Sequence, residues 1–331
     1  LIVWYILMNQ HEKALQWAED FLVSNEHCSI VDRHVVVETS WSVVYRIETT
    51  QHIVYLKQVP EALFLEPGTL TFLHQQGCKN IPDVLAVNPV LHCFMTIACG
   101  SMSLRDLFKR QVNFSLLTSG IITYTNIQRL LENKTQQLLL LGTPDWRLDK
   151  FASLYYQLIQ QDKLLLDDGL TEQEIEQLHH LYPRCKHLCE VLSKHNIPET
   201  ISHSDFQENN MLIDEKTRTI NIIDWGETVI SHPFFSLNGC LWNITYFNEI
   251  KETDNMYSQL QSQCIAPWLN LHNEETLLEL LHIANELLGI YAALGYERLY
   301  VATQNNHKNS VQQDKHGSIA GCLRTFLSSQ R

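Results

Sequence analysis

The stretch from His203 to Gly226, HSDFQENNMLIDEKTRTINIIDWG, holds the residues best suited to chemistry. Asp205 lies five positions before Asn210, and a second Asp, Asp224, ends an apolar run from Ile220 to Ile223. Between them stand Met211 to Asp214, strand-like, and a polar turn, Glu215 to Arg218. Two short strands joined by that turn would carry Asp224 back beside Asn210. An Asn and an Asp supply oxygen ligands of the kind Mg²⁺ takes, the rest of its shell coming from water and substrate phosphates. Asp205 then remains free to accept a proton from an attacking hydroxyl.

His203-Ser204-Asp205, Asn210 and Asp224-Trp225-Gly226 together resemble the catalytic loop and metal segment of the aminoglycoside phosphotransferase family, a branch of the protein-kinase-like fold. That resemblance implies an α+β, two-lobed fold: a small antiparallel β-sheet N-lobe over residues 1–99 and a larger, mainly helical C-lobe over residues 100–331. It implies ATP or GTP as co-substrate and Mg²⁺ as cofactor, the metal held by Asn210 and Asp224. Asp205 would be the catalytic base. His203 would be structural, bracing the loop, and Gln207 would orient it by hydrogen bonds.

The elements upstream must position the nucleotide. Glu12 to Val23 reads as an amphipathic helix, with Ala14, Leu15, Ala18, Phe21 and Leu22 at helical spacing. Ser29 to Val37, Trp41 to Ile47 and Ile53 to Gln58 then read as an antiparallel meander. The turn between the first two contains no glycine. Ser40 and Ser42 offer hydroxyls and backbone N–H groups to phosphate there, and a plain β-turn accounts equally well for each. Lys57 matches the strand lysine that pairs with the α- and β-phosphates in kinase-like folds, and Glu66 is its expected ion-pair partner, with Glu61 the competing choice. Pro67 suits the first turn of the helix that follows. Ile81 to Val87 and Leu91 to Ala98 read as further strands. By position alone the resemblance puts adenine-binding backbone between Met95 and Ala98.

From Ser103 to about Asn196 the pattern is helical, with Ser103 as N-cap and Thr171 to Glu174 as a capping box. Leu138 to Leu141 is assigned to the core, and Asp162, Asp167 and Asp168 to solvent. Leu237 to Tyr246, Leu277 to Leu294 and Ser318 to Leu327 read as helices, and Gln304 to Gly317 as an exposed loop. Ser231 to Leu237 stands where many relatives carry a Gly-Asp-Pro and a later Asp, and those Asp residues are absent.

Composition sets the remaining bounds. The chain has 331 residues, 45% hydrophobic and 18% charged, as a globular protein would. A net charge of −13 argues against nucleic acid as partner and suits a cationic acceptor. Nine cysteines without paired spacing indicate reduced thiols and a cytoplasmic protein. Cys185-x-His187-x-Cys189 has one helical turn between its sulfurs but turns His187 elsewhere, which favours a thiol pair over zinc. Leu1 to Met8 is apolar but too short to span a bilayer, so no membrane is expected. The function read from the sequence is γ-phosphoryl transfer to a hydroxyl of a small molecule, by a monomer or dimer. The alternative is a nucleotide-binding protein of the same fold that has lost turnover. A protein kinase is disfavoured, because no activation loop with its anchor follows Asp224.

Overall fold

A computed structural model of the chain describes residues 10–109, 111–248, 250–304 and 314–329. The apolar Leu1 to Met8 and most of the polar stretch after Gln304 lie outside them. The first element is helix α1 (Gln10–Ser24), whose Ala14, Ala18 and Leu22 are buried. Strands β1 (Ile30–Glu38), β2 (Val43–Thr49) and β3 (Ile53–Gln58) follow. After them come α2 (Glu66–Gln75), β4 (Val84–Asn88) and β5 (Cys93–Ile97). The strands form one antiparallel sheet in the order β1-β2-β3-β5-β4. Period-two alternation sends Val54 and Leu56 of β3 into a small core with Ile47, Met95 and the α1 alanines. It sends Tyr55 and Lys57 to the opposite face.

The chain then crosses to a mainly helical lobe. Strand β6 (Met102–Ser103) leads into α3 (Leu104–Phe108), capped by Ser103, whose hydroxyl accepts from the Asp106 N–H. Helices α4 (Phe114–Leu131), α5 (Thr135–Leu140), α6 (Leu148–Ile159), α7 (Asp162–Asp167), α8 (Glu172–His180) and α9 (Tyr182–Lys194) come next. The capping box at Thr171 and Glu174 is formed. Two insertions of strand interrupt the helices: β7 (Thr200–His203), and the hairpin of β8 (Met211–Ile213) with β9 (Ile220–Ile222). β10 (Thr228–Ser231) pairs with β7, and β6 extends the hairpin into a three-stranded sheet. The chain closes with α10 (Phe234–Asn248), α11 (Asn255–Ile265), α12 (Glu274–Glu286), α13 (Leu288–Thr303) and α14 (Ser318–Ser328). This is a two-lobed kinase-like fold, sheet-rich first and helix-rich second.

Three expectations need correction. Of Leu138 to Leu141 only Leu138 is buried, while Leu140 is 79% exposed. Four consecutive residues go round a helix, and a short helix has one face on the core. The apolar run from Leu277 to Leu294 is two helices, broken at Leu287 and bent by 48°. The bend sets Gly289 against α14, where a Cβ would lie 2.4 Å from the Cys322 carbonyl oxygen. Asp168 is buried, not solvated: its carboxylate accepts the Gly317 and Ala320 N–H groups at 2.9 and 2.8 Å and so caps α14. Among the described residues no single helix is long and apolar enough to cross a membrane.

Candidate active site

Between the lobes lies a cavity of about 800 Å³, walled by Lys57, Glu66, Asp205, Asn210, Asp224 and Glu227 with parts of the first turn and the crossing segment. Lys57 reaches it from the face of β3 turned away from the N-lobe core. Its ammonium donates to Glu66 Oε2 at 2.7 Å and to Asp224 Oδ1. Glu61, the other glutamate considered, is exposed. Burial alone would lower the Lys57 pKa, but Asp224 and Glu66 raise it far above its ordinary value, so the group stays charged. The second oxygen of Glu66, Oε1, accepts the Trp225 N–H at 3.0 Å. Glu66 therefore ties α2 to both the strand lysine and the segment after Asp224.

Asp224 follows β9 in the left-handed region, at φ 65° and ψ 51°. Asp tolerates that conformation better than most residues, and it turns the chain straight into the Trp225–Glu227 turn. The indole N–H of Trp225 donates to the Ile222 carbonyl at 2.9 Å and closes the bend. Gly226 follows for lack of space: a Cβ there would lie 3.3 Å from Glu66 Oε2.

Asp205 is held from several sides. The Asn210 side-chain N–H₂ donates to its carbonyl and to its carboxylate, both at 2.8 Å. Gln207 donates to the other carboxylate oxygen and itself accepts from Arg105 of α3, which also donates to Glu208 at 3.1 Å. The buried His203 ring accepts the Asp205 N–H through Nδ1 and reaches the Ile223 carbonyl through Nε2 at 2.9 Å. Those partners require the neutral tautomer with its proton on Nε2. Burial, and then the charge of Asp224, raise the Asp205 carboxyl above its ordinary range, against the hydrogen bonds it accepts from Gln207 and Asn210. A carboxylate made more basic in this way suits proton abstraction.

The fit to Mg²⁺ can be judged from the donors. Asn210 spends its N–H₂ on Asp205 and keeps its carbonyl oxygen, and Asp224 spends one oxygen on Lys57 and keeps the other. Two protein oxygens on one wall suit a metal that draws most of its shell from water and phosphates. Among the described residues no group of three or more His, Cys, Asp or Glu forms a dedicated metal cage.

Other expected positions shift. Met95 is fully buried in the N-lobe core and pairs with Leu56 and Ala86 in the middle of the sheet, so its backbone is spent. The Ala98 N–H goes to the Ile53 carbonyl at 2.9 Å. Within the expected span Thr96 and Ile97 do lie on the wall, which continues beyond it through Cys99 to Met102. In the first turn Ser42 lies on the wall beside Thr39 and Trp41, whereas Ser40 is not on it.

Four residues escaped the sequence reading. Glu227 lies on the wall, and burial followed by the charges of Asp205 and Asp224 pushes its carboxyl up to about 8. Its place directly after Asp224-Trp225-Gly226 was the available signal. Arg298 of α13 donates to the Gly226 and Thr228 carbonyls, each at 3.3 Å, and so brackets Glu227. Tyr124 of α4 accepts the His203 N–H at 2.9 Å and stacks on Phe206. Thr39 accepts two N–H groups of its own turn.

Comparison with known proteins fits this geometry. Residues 128–267 match the model of the phosphotransferase enzyme family. No curated protein matches the chain by sequence. Among solved structures, an ethanolamine kinase of Plasmodium vivax aligns over 95% of this chain and 88% of its own, at 12% identity and a TM-score of 0.64. The choline kinase LicA of Streptococcus pneumoniae aligns over 97% and 100%, at 12% identity and a TM-score of 0.61. A GDP complex of aminoglycoside 2'-phosphotransferase-IIIa aligns over 96% and 98%, at 14% identity and a TM-score of 0.61. At such identities these likenesses establish the fold alone. Through the segment that carries the Asp205 loop and Asp224, and on this two-lobed fold, the chain matches the phosphotransferase enzyme family.

Proposed function

We propose that the chain is a small-molecule O-phosphotransferase that moves the γ-phosphoryl group of ATP or GTP to a hydroxyl. The observation that carries this reading is the convergence of Lys57, Glu66, Asp205, Asn210 and Asp224, far apart in sequence, on one cavity between the lobes. Lys57, kept charged by Glu66 and Asp224, would anchor the α- and β-phosphates. Asn210 and Asp224 would hold Mg²⁺, which when bound offsets the charge on the phosphates. Asp205 would orient the acceptor hydroxyl and take its proton as the loose transition state develops. Holding the hydroxyl in line is the larger part of the work, because positioning and fixed charge dominate phosphoryl transfer.

The acceptor we infer to be an amine-bearing alcohol. The Glu227 carboxyl makes no hydrogen bond or ion pair among the described residues, although its backbone carbonyl accepts from the Ser204 hydroxyl, and it lies on the wall that holds Asp205. An ammonium placed there would find a carboxyl to pair with. The names of the ethanolamine and choline kinases that share the fold point the same way. The nine cysteines are free thiols, which supports a reducing compartment such as the cytoplasm.

A screen of amino alcohols, aminoglycosides and neutral sugars for ADP release, with Asp205→Ala as control, tests the reading. Turnover with an amine-bearing acceptor that drops at least about a hundredfold in Asp205→Ala is expected. Unaltered turnover in that variant would remove Asp205 as base. Mg·ATP binding without transfer to any acceptor would favour the silent nucleotide-binding protein.

A further inference from the structure

Gln207 stands between a group that can only donate and a group that accepts. Its amide oxygen accepts from Arg105 Nη2, and its amide N–H₂ donates to Asp205 Oδ1. The two ends of a glutamine amide are nearly alike in size and shape, so packing does not choose between them. A guanidinium carries donors only, so the amide oxygen must face Arg105. That choice turns the N–H₂ toward Asp205. With Asn210 donating to Oδ2 at 2.8 Å, both oxygens of the carboxylate are held. Arg105 is itself fixed from several sides. Its Nε donates to Glu208 Oε1 at 3.1 Å, and its Nη2 also reaches Asn243 Oδ1 of α10 at 3.3 Å. The guanidinium lies over the Phe247 ring, 3.7 Å from its centre. Glu208 is fully buried and takes a second donor from Asn248 at 3.2 Å, and Asn243 is tied back to the Gly239 carbonyl at 2.9 Å. A rigid chain of bonds thus runs from α3 and α10 to Asp205.

We propose that Arg105 is a positioning residue for the transfer: by setting which end of the Gln207 amide faces Asp205, it holds the carboxylate in the rotation that meets the acceptor hydroxyl. This rests on the phosphotransferase reading given above. A carboxylate free to turn about its Cβ–Cγ bond carries the accepting oxygen away from the hydroxyl, and small misplacements are expensive in rate. Without Arg105 the Gln207 amide can reverse, and an amide oxygen then faces the Asp205 oxygen. Arg105 makes no contact with the cavity wall's other side chains that would let it act on the nucleotide directly. Its effect passes through one amide. A plainer role, as counter-ion to the buried Glu208, would cost folding stability when Arg105 is removed but would not depend on what stands at 207.

The test is a double-mutant cycle of Arg105→Met and Gln207→Met in the full chain, run again with Glu208→Gln in all four members. The second background removes the carboxylate that Arg105→Met would strand, and melting curves check that each variant folds. The rate is ADP release from Mg·ATP with ethanolamine as acceptor, and with water alone where ethanolamine is not turned over. The expected result is a kcat about tenfold lower for Gln207→Met when Arg105 is present, and less than about twofold lower in the Arg105→Met chain, with the KM for Mg·ATP unchanged within about twofold. Losses that simply add overturn the proposal and leave Arg105 as a support of Glu208. A raised KM with kcat unchanged overturns it as well. So does Gln207→Met alone at the wild-type kcat, a result that needs no change at Arg105. Absence of ADP release by the wild type with either acceptor overturns the phosphotransferase reading, and the role of Arg105 with it.

Discussion

Lys57 and Asp224 stand 167 residues apart in sequence and share a hydrogen bond across the cleft. The same ammonium bonds to Glu66, so one cation is held between two carboxylates from different parts of the fold. Lys57 comes from a strand of the first lobe and Asp224 from the end of a hairpin in the second. Their contact joins the lobes at the cavity between them, where the proposed function puts the triphosphate. Two negative groups depend on one positive one, so removing the cation acts on stability as well as on activity.

Lys57→Met should therefore unfold at lower urea than the wild type. It leaves the buried Glu66 without a cation, which costs about 2–4 kcal/mol, at the lower end because the Asp224 side chain is 38% exposed. Adding Glu66→Gln removes the stranded charge, and the double variant should regain much of the loss. Neither variant should transfer phosphate. Equal urea midpoints for wild type and Lys57→Met would show that the pair does not support the fold.

Glu227 predicts a dependence on pH in the metal-free chain. Its folded carboxyl is raised from 4.5 to about 8, so the folded state keeps a proton that the unfolded chain releases. Stability from this source is complete below about 4.5 and is lost as the pH rises toward about 8. Asp205 is shifted in the same direction and adds to the slope. Urea midpoints measured in chelator should fall across that interval in the wild type and fall less in Glu227→Gln. Parallel profiles would mean that Glu227 is ionised in the fold.

How much of this was legible in the sequence varies with the physics. Lys57 was picked out by its match to the strand lysine of kinase-like folds, and Asp205, Asn210 and Asp224 by a spacing that one loop and one hairpin set; strand alternation is what turns Lys57 to the cavity. The crossing segment was readable only roughly. Binding by backbone leaves no mark on side chains, so Met95 could not be told from a wall residue until the sheet order buried it. The break at Leu287 depends on how closely Gly289 meets α14, a fact of packing rather than of hydrophobic pattern. The role of Asp168 needed the position of α14, some 150 residues downstream. Glu227 stood in plain view beside Asp224, but its raised pKa comes from burial that no local window reports.

Tyr124 offers a test of how the Asp205 loop is supported. Its hydroxyl accepts the His203 N–H at 2.9 Å and pairs with Ser236 at 2.7 Å, all of it buried. Tyr124→Phe keeps the ring on Phe206 but strands a buried N–H next to the loop. The expected cost is about 1–3 kcal/mol, with kcat lowered more than nucleotide KM is raised. A variant as stable as the wild type would show that the hydroxyl is replaceable.

Gly226→Ala tests the spacing of the cation and its carboxylates directly. The new methyl would lie 3.3 Å from Glu66 Oε2, closer than that oxygen comfortably allows, and 3.7 Å from Lys57 Nζ, an ordinary contact. Glu66 cannot retreat freely, because its other oxygen holds the Trp225 N–H at 3.0 Å on the same segment. The strain therefore falls on the Lys57–Glu66 bond, and a displacement of a few tenths of an ångström moves the ammonium relative to the phosphates. A misplacement of that kind costs rate rather than folding, so turnover should drop about tenfold or more while the melting temperature changes little. Wild-type turnover in Gly226→Ala would mean that Lys57 does not need Glu66 where it stands, and would separate the ion pair from the chemistry.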